Sequence, residues 1–162
     1  VKDATGSLFV GFYLPFMVGF VMLMLREDDG VARIVAFIAI TVCNDVGGYA
    51  AGVLFGKHPI APQVSPKKSW EGFAGSVVFA VAVAIPLFAI AFGAPWWQAA
   101  VFGAVVVATA TSGDFIESAI KRDLNVKDMS NILPGHGGLM DRLDSLIPNA
   151  FVTWALLGLF LG

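Results

Sequence analysis

Three acidic residues lie in or directly beside apolar stretches of this chain. Asp45 is embedded in the run 34–56, and Asp114 and Glu117 follow the run 96–113. A charged side chain inside a membrane span costs roughly 2.5–3.5 kcal/mol on insertion scales. One isolated acid is as often a hydrogen-bond partner for a neighbouring helix as a functional group. Three acids on two apolar segments favour a functional site.

Helical spacing places polar residues around Asp114 on one face. At about 100° per residue, one side of a helix carries Thr111, Asp114, Glu117, Ser118 and Lys121, and the opposite side is Ala, Val and Phe. Lipid cannot satisfy such a polar stripe. The stripe is therefore predicted to face a water-filled cleft.

A second pair of acids, Asp141 and Asp144, precedes the last apolar run, 146–162. Their i, i+3 spacing puts them on one face of a helix, so two acid-bearing helix ends could converge. The chain has two histidines and one cysteine. Carboxylate oxygens with so few nitrogen and sulfur ligands indicate a hard cation such as Mg²⁺ rather than zinc. Mg²⁺ in turn usually accompanies phosphates.

Basic and glycine-rich segments beside these acids are suited to phosphates. The segments 65–72 (SPKKSWEG) and 121–128 (KRDLNVKD) contain five Lys or Arg residues, and the turn 135–138 (GHGG) lets backbone N–H groups approach an anion. Each feature also has a plainer interpretation. Paired lysines are more often a topology signal, a glycine-rich turn is more often a helix connector, and His136 alone is more often a structural hydrogen-bonding residue.

Membrane-spanning helices must position these residues. The chain is 57% hydrophobic and 14% charged, with a mean hydropathy of +0.80, whereas soluble domains are about 25% charged. Apolar segments long enough to cross a hydrocarbon core of about 30 Å occur at 7–25, 34–56, 72–92, 96–113 and 146–162. We therefore predict an all-α polytopic membrane protein with five transmembrane helices, forming one integral-membrane domain over residues 1–162.

The start of the chain indicates a fragment. The sequence begins with Val1 rather than Met, and its first apolar run is not followed by a cleavage site. Upstream helices are therefore expected to precede this sequence. Cys43 is the single cysteine, which excludes an internal disulfide.

The basic residues are divided unequally between the two predicted sides. With five alternating helices, eight Lys or Arg residues lie on one side, and only Arg26 and Arg33 lie on the other. The positive-inside rule then predicts that the loops 57–71 and 119–142 are cytoplasmic and that the C-terminus is outside. A reporter cysteine at Gly30 should be labelled from outside.

Residues 118–144, SAIKRDLNVKDMSNILPGHGGLMDRLD, closely resemble the signature of the bacterial phosphatidate cytidylyltransferases, or CDP-diacylglycerol synthases. The signature consists of Ser, two residues, Lys-Arg, four residues, Lys-Asp, a short spacer, His-Gly-Gly, two residues, Asp-Arg, one residue and Asp. Its fixed positions are all present, at Ser118, Lys121, Arg122, Lys127, Asp128, His136, Gly137, Gly138, Asp141, Arg142 and Asp144. The stretch 44–72 resembles the family's other shared region, although Asn-Asp-Val-Gly replaces the commoner Ser-Asp-Thr-Gly at 44–47.

The resemblance implies transfer of CMP from CTP to phosphatidic acid, with Mg²⁺ required. CDP-diacylglycerol and pyrophosphate would be the products. The protein would lie in the bacterial cytoplasmic membrane with its active site on the cytoplasmic side. A second, monovalent cation at the metal site and a homodimer are left open.

The placement of the acids and cations, taken together with this resemblance, gives each residue an expected role. Asp114 and Asp141 are expected to bind the metal, with Asp144 and Asp45 as further ligands or orienting groups. Residues expected to hold phosphates or substrate are Lys67, Lys68, Lys121, Arg122, Lys127, Asp128, Gly137, Gly138 and Arg142. Ser118 and His136 are expected to orient a phosphate or order the loop, without covalent catalysis.

Two alternatives use the same residues. A CTP-dependent polyprenol or lipid kinase would transfer the γ-phosphate and release CDP rather than pyrophosphate. An ion or phosphate transporter would need a polar pathway to the outer face, but the outer halves of the third and fourth spans are apolar. The transporter is therefore the less favoured alternative.

Overall fold

The computed structural model describes residues 15–16, 18–62, 65–123 and 146–162. Within these ranges the description leaves out the side chains of Pro66, Lys67, Glu117, Ile120, Lys121, Asp123 and residues 146–148. Residues 18–25 are helical. The elements that follow are helix α1 (Gly30–Phe55), strands β1 (Pro59–Ala61) and β2 (Ser65–Ser69), and helices α2 (Trp70–Ala91), α3 (Trp96–Asp123) and α4 (Leu146–Leu161).

Three helices of the described chain are long and apolar enough to cross a membrane. They are Gly30–Phe55, Trp70–Ala91 and Trp96–Ile116. At a rise of 1.5 Å per residue each is about 31–39 Å long, which matches a hydrocarbon core of about 30 Å. A shorter apolar helix covers Asn149–Leu161. The predicted all-α polytopic membrane fold is confirmed.

Contacts between helix ends show that the helices alternate in direction. The Arg33 guanidinium, near the start of α1, lies 3.5 Å from the backbone oxygen of Gly162, the residue after α4. The rings of Trp97, at the start of α3, and Phe160, at the end of α4, lie 5.8 Å apart. The start of α1, the start of α3 and the end of α4 therefore share one side of the bundle. The β-hairpin and Asp114 belong to the other side.

Apolar side chains at the helix interfaces form the core. Phe88 of α2 and Phe102 of α3 are fully buried with ring centroids 4.9 Å apart, and Ile40, Val106 and Leu157 are also fully buried. Lipid tails are as apolar as these side chains, so helix association depends on close packing rather than on transfer from water.

Small residues bring α1 and α2 together. A Cβ atom added to Gly75 would lie 2.2 Å from the Cβ of Ala51, and one added to Gly48 would lie 2.6 Å from Ser76 Oγ. Both distances are too short for a side chain, so these glycines set the spacing of the two helices. Because the same part of the interface bears polar residues, the close approach also shapes the site described below.

The loop 57–71, predicted only as a cytoplasmic loop, contains an antiparallel hairpin. Pro59 pairs with Ser69, Ala61 pairs with Ser65, and the register shifts between the two pairs. The short strands leave the all-α class unchanged. They do give Lys68 a defined position at the entrance to α2.

Candidate active site

A cavity of about 230 Å³ lies between α1, α2, α3 and the hairpin. Its wall combines acids, a lysine, neutral polar groups and glycines. The lining residues are Asn44, Asp45, Gly48, Tyr49, Gly52, Ile60, Lys68, Ser69, Gly72, Phe73, Ser76, Thr111 and Asp114. At 1.5 Å per residue, Ser76 lies about 9 Å along α2 from the hairpin. The cavity therefore reaches from the loop side into the membrane-spanning part of the bundle.

An ion pair joins the hairpin to α3 across this cavity. Lys68 Nζ donates to Asp114 Oδ2, and the two side chains are 28% and 22% exposed. The ammonium also lies 4.9 Å from the centroid of the Phe115 ring, within the range of a cation–π contact. A partly buried pair is screened by salt less than a surface pair, so this contact holds the hairpin close to α3.

A hydrogen-bond chain fixes the opposite wall. Asn44 Nδ2 donates to Asp45 Oδ1 at 3.0 Å, and Ser76 Oγ donates to the Asn44 backbone oxygen at 2.6 Å. Asn44 and Ser76 are buried. Because burial makes an unpaired polar group costly, these bonds restrict Asn44 and, through it, the Asp45 carboxylate.

The start of α2 forms the junction between the hairpin and the bundle. Ser69 is the N-cap residue, and its hydroxyl accepts from the Gly72 N–H at 3.1 Å. A serine at this position satisfies one of the free N–H groups of the first helical turn. Lys68 immediately precedes this cap, so the geometry of the helix start also sets the position of its backbone.

The structure brings three of the predicted site residues together. Asp45, Lys68 and Asp114 line one cavity, together with Thr111 from the predicted polar stripe. Ser118 is half-buried and Arg122 is exposed, both farther along α3. Lys67 and Lys121 lie in β2 and α3, and their side chains are outside the description. The roles of all these residues stay predictions.

The rest of the predicted site lies outside the described residues. It comprises Lys127, Asp128, His136, Gly137, Gly138, Asp141, Arg142 and Asp144. The expected convergence of Asp114 with Asp141 is therefore a prediction for experiment.

Lys68 has a specific partner in the structure. Its side chain is 28% exposed and forms an ion pair with Asp114. The sequence could not show this pairing, since the two residues are far apart along the chain and are brought together only by the packing of the hairpin against α3.

Sequence reasoning also missed cavity residues with no charge. Asn44, Ser69 and Ser76 contribute polar groups, and Gly48 and Gly72 contribute backbone. Small residues recur at helical spacing in both segments, at Gly48 and Gly52 of α1 and at Gly72 and Ser76 of α2. That pattern was the available signal of a close helix pair bordering a cleft.

The donor atoms of the cavity suit a hard divalent cation. Among the described residues no cluster of three or more His, Cys, Asp or Glu could hold a metal ion, but the carboxylates of Asp45 and Asp114 face one cavity beside hydroxyl and amide oxygens. Mg²⁺ is typically bound by one or two carboxylates together with water and substrate phosphates. The cavity fits that mode of binding.

The fold and the cavity define a class of protein. A bundle of membrane-spanning helices with a charged cavity at one end is an integral membrane protein whose ionisable side chains mark a candidate functional site.

Comparison with known proteins gives the family. The profile of the cytidylyltransferase family matches residues 1–160, and the chain belongs to this family. Similar curated proteins include the phosphatidate cytidylyltransferases of Mycobacterium leprae, 46% identical over 98% of this chain and 51% of the relative, and of Helicobacter pylori, 37% identical over 89% and 55%. The phosphatidate cytidylyltransferase of Staphylococcus haemolyticus is 36% identical over 80% of this chain and 50% of the relative. The chain thus spans about half the length of the curated relatives that it matches.

Proposed function

We propose that the protein transfers CMP from CTP to phosphatidic acid, giving CDP-diacylglycerol and pyrophosphate. The observation that carries this proposal is the cavity in which Lys68 and Asp114 are paired at one end of the membrane-spanning helices, in a chain of the cytidylyltransferase family. Such a cavity offers a cation for a phosphate and carboxylates for a metal ion at the surface where a lipid headgroup and a soluble nucleotide can meet.

The proposed chemistry requires little base catalysis. The phosphate monoester of phosphatidic acid is already a nucleophile at neutral pH, so the main obstacle is the repulsion between two polyanions. Phosphoryl-type transfers of this kind are accelerated mainly by positioning and by neutralisation of charge. Lys68 would hold one of the anionic groups, and the enclosed position of its ammonium strengthens that attraction.

The carboxylates of Asp114 and Asp141 would hold Mg²⁺, with Asp45 and Asp144 as further ligands or orienting groups. When bound, Mg²⁺ would neutralise phosphate charge and fix the phosphates relative to one another. In the structure the Lys68 ammonium contacts the Asp114 carboxylate. Lys68 would therefore turn from Asp114 towards a phosphate when substrate enters, which keeps the carboxylate paired in both states.

The membrane location fits the two substrates. The acyl chains of phosphatidic acid would stay in the bilayer while its headgroup enters the cavity, and CTP would arrive from the aqueous side. We assign the hairpin side to the cytoplasm because the basic residues are concentrated there. The C-terminus then lies outside, on the side of Arg33.

The decisive experiment follows both products. The full-length protein in phosphatidate-containing vesicles is incubated with Mg²⁺ and with CTP labelled either in the cytosine or in the γ-phosphate. A cytidylyltransferase gives a cytosine-labelled lipid and γ-labelled pyrophosphate. A γ-labelled lipid together with CDP would instead establish a lipid kinase and overturn the proposal.

The proposed orientation predicts a labelling pattern. Cys43, the single cysteine of this sequence, is buried, and the reporter variants are made after it and any cysteine in the rest of the full-length protein are replaced by Ala. A cysteine at exposed Lys57, beside the hairpin, should react with a membrane-impermeant maleimide only from the cytoplasmic side, and one at exposed Asp28 should react only from outside.

Asp28 replaces Gly30 as the outer reporter for a structural reason. Gly30 is buried, and an added Cβ would lie 2.5 Å from the Leu25 backbone oxygen, so a cysteine there would perturb the turn. Labelling of positions 28 and 57 from the same side would contradict both the alternation of the helices and the proposed orientation.

A further inference from the structure

Glu71 connects the two ends of the hairpin through three contacts. Its Oε2 accepts from the backbone N–H groups of Lys57 at 3.1 Å and His58 at 3.2 Å. Its Oε1 lies 2.5 Å from Nδ1 of the His58 ring. Both oxygens of the Glu71 carboxylate are therefore bonded to residues 57 and 58, which follow the end of α1.

These contacts close the base of the hairpin. The Trp70 N–H donates to the His58 backbone oxygen at 2.9 Å, next to the Glu71 contacts. The strands themselves are short, and their register shifts between Pro59 and Ala61. A two-stranded hairpin is marginally stable by itself, so the contacts at its base restrict where β2 can lie.

The position of Lys68 depends on where β2 lies. It occupies β2, three residues before Glu71, and its ammonium reaches Asp114 and the ring of Phe115 on α3. Glu71 does not line the cavity, although the nearby residues Ser69 and Gly72 do. Glu71 can therefore influence the cavity through the position of the hairpin without touching a substrate.

We propose that Glu71 is a positioning residue that fixes Lys68 in the cavity by joining the start of α2 to residues 57–58. This inference rests on the proposed function. The carboxylate suits the task because it can accept from two backbone N–H groups with one oxygen and meet the His58 ring with the other, and hydrogen bonds to a charged acceptor are stronger than neutral ones.

A different role for Glu71 would be general stabilisation of α2, since an acid in the first turn interacts favourably with the helix dipole. That role does not involve Lys68. The two explanations therefore predict different energetic coupling between Glu71 and Lys68, and a double-mutant cycle separates them.

The cycle compares the wild type with Glu71→Ala, Lys68→Ala and the double variant in the labelled CTP assay. Glu71→Ala should raise the KM of an anionic substrate about tenfold with a smaller change in kcat, because it misplaces a binding group. In the Lys68→Ala background the same change should cost less than about twofold, as expected when one residue acts through the other. Losses that multiply would overturn the proposal.

Two further variants serve as controls. Glu71→Gln retains an oxygen that can accept from both backbone N–H groups, so it should recover most of the activity lost in Glu71→Ala. Glu27→Ala removes an exposed acid before α1, far from the hairpin, and should leave both KM and kcat unchanged. A Gln variant as impaired as the Ala variant would contradict the hydrogen-bonding role.

A measurement independent of turnover completes the test. In the full-length protein, hydrogen–deuterium exchange of the amides of Lys57 and His58 should be faster in Glu71→Ala than in the wild type and near normal in Glu71→Gln. Unchanged exchange in Glu71→Ala would overturn the proposed contacts whether or not the protein is active. Failure of the proposed function has another signature, because the wild type would then form no cytidine-labelled lipid.

Discussion

Lys68→Ala should raise the KM of at least one anionic substrate by about 10- to 100-fold, the range that corresponds to loss of a charge-assisted hydrogen bond of roughly 1.5–3 kcal/mol. The expected cause is removal of a cation from a partly enclosed cavity, where its attraction for a phosphate is stronger than at an exposed surface. Steady-state kinetics with CTP and phosphatidate varied in turn measures the effect.

The Mg²⁺ dependence of the same variant separates two roles of Lys68. Lys68 competes with a metal ion for Asp114 if both bind the same carboxylate, so its removal should not raise the Mg²⁺ concentration needed for half-maximal activity. Arg26→Ala, which removes an exposed cation on the opposite side of the bundle, is the matched control and should leave both KM values unchanged. Unchanged KM values in Lys68→Ala would make Lys68 a topology residue and remove it from the site.

Lys67 can now be tested separately from Lys68. In the sequence the two lysines form one basic group; the structure gives Lys68 a specific partner, Asp114, and the side chain of Lys67 lies outside the described part of the chain. Lys67→Ala measured beside Lys68→Ala shows how much of the predicted phosphate attraction belongs to each residue.

The helical part of the fold could be predicted from the sequence because its signals are local. Apolar runs of membrane-spanning length gave the helices of the regions 34–56, 72–92 and 96–113, and the structure begins the first two slightly earlier, at Gly30 and Trp70. The starts differ because a charged residue, Arg33 in α1 and Glu71 in α2, bounds each apolar run, whereas the helices begin after Asp29 and Ser69.

The hairpin could not be predicted in this way. Its strands are only three and five residues long, and the second one reads SPKKS, without the alternation of apolar and polar residues that marks a half-buried strand. Its position depends on Glu71 and on the backbone of residues 57–58. Contacts between a helix start and the preceding helix end leave no periodic pattern in the sequence.

The candidate site was only partly visible in the sequence. Asp45 and Asp114 stood out because ionisable residues in apolar segments are costly and must face a polar space. Asn44 and Ser76 did not stand out, since single neutral polar residues are common in membrane helices and their role here comes from the bond between Ser76 Oγ and the Asn44 backbone. Packing of α1 against α2, rather than residue type, makes them part of the cavity wall.

Asp114→Asn should lower cytidylyl transfer on the order of 10³-fold or more, the scale of loss seen when one member of a catalytic unit is removed. Asn keeps the size of the side chain and an oxygen that can accept from Lys68, but it lacks the negative charge that Mg²⁺ requires. The variant should therefore stay folded and inserted in the membrane. Turnover across a Mg²⁺ titration, together with the thermal unfolding midpoint, measures the two properties separately.

Asp141→Asn tests whether Asp141, a ligand predicted from the sequence alone, binds the same metal ion as Asp114. If Asp114 and Asp141 bind one metal ion, each single variant should be nearly inactive and the double variant scarcely worse than either, because residues that act as a unit are not additive. Glu27→Gln removes an exposed carboxylate on the other side of the bundle and should retain normal turnover. Two outcomes would show that the aspartates do not share a metal ion, even if the protein is an active cytidylyltransferase. One is a single variant with near-normal turnover at an unchanged Mg²⁺ requirement. The other is a double variant in which the two losses of activity multiply.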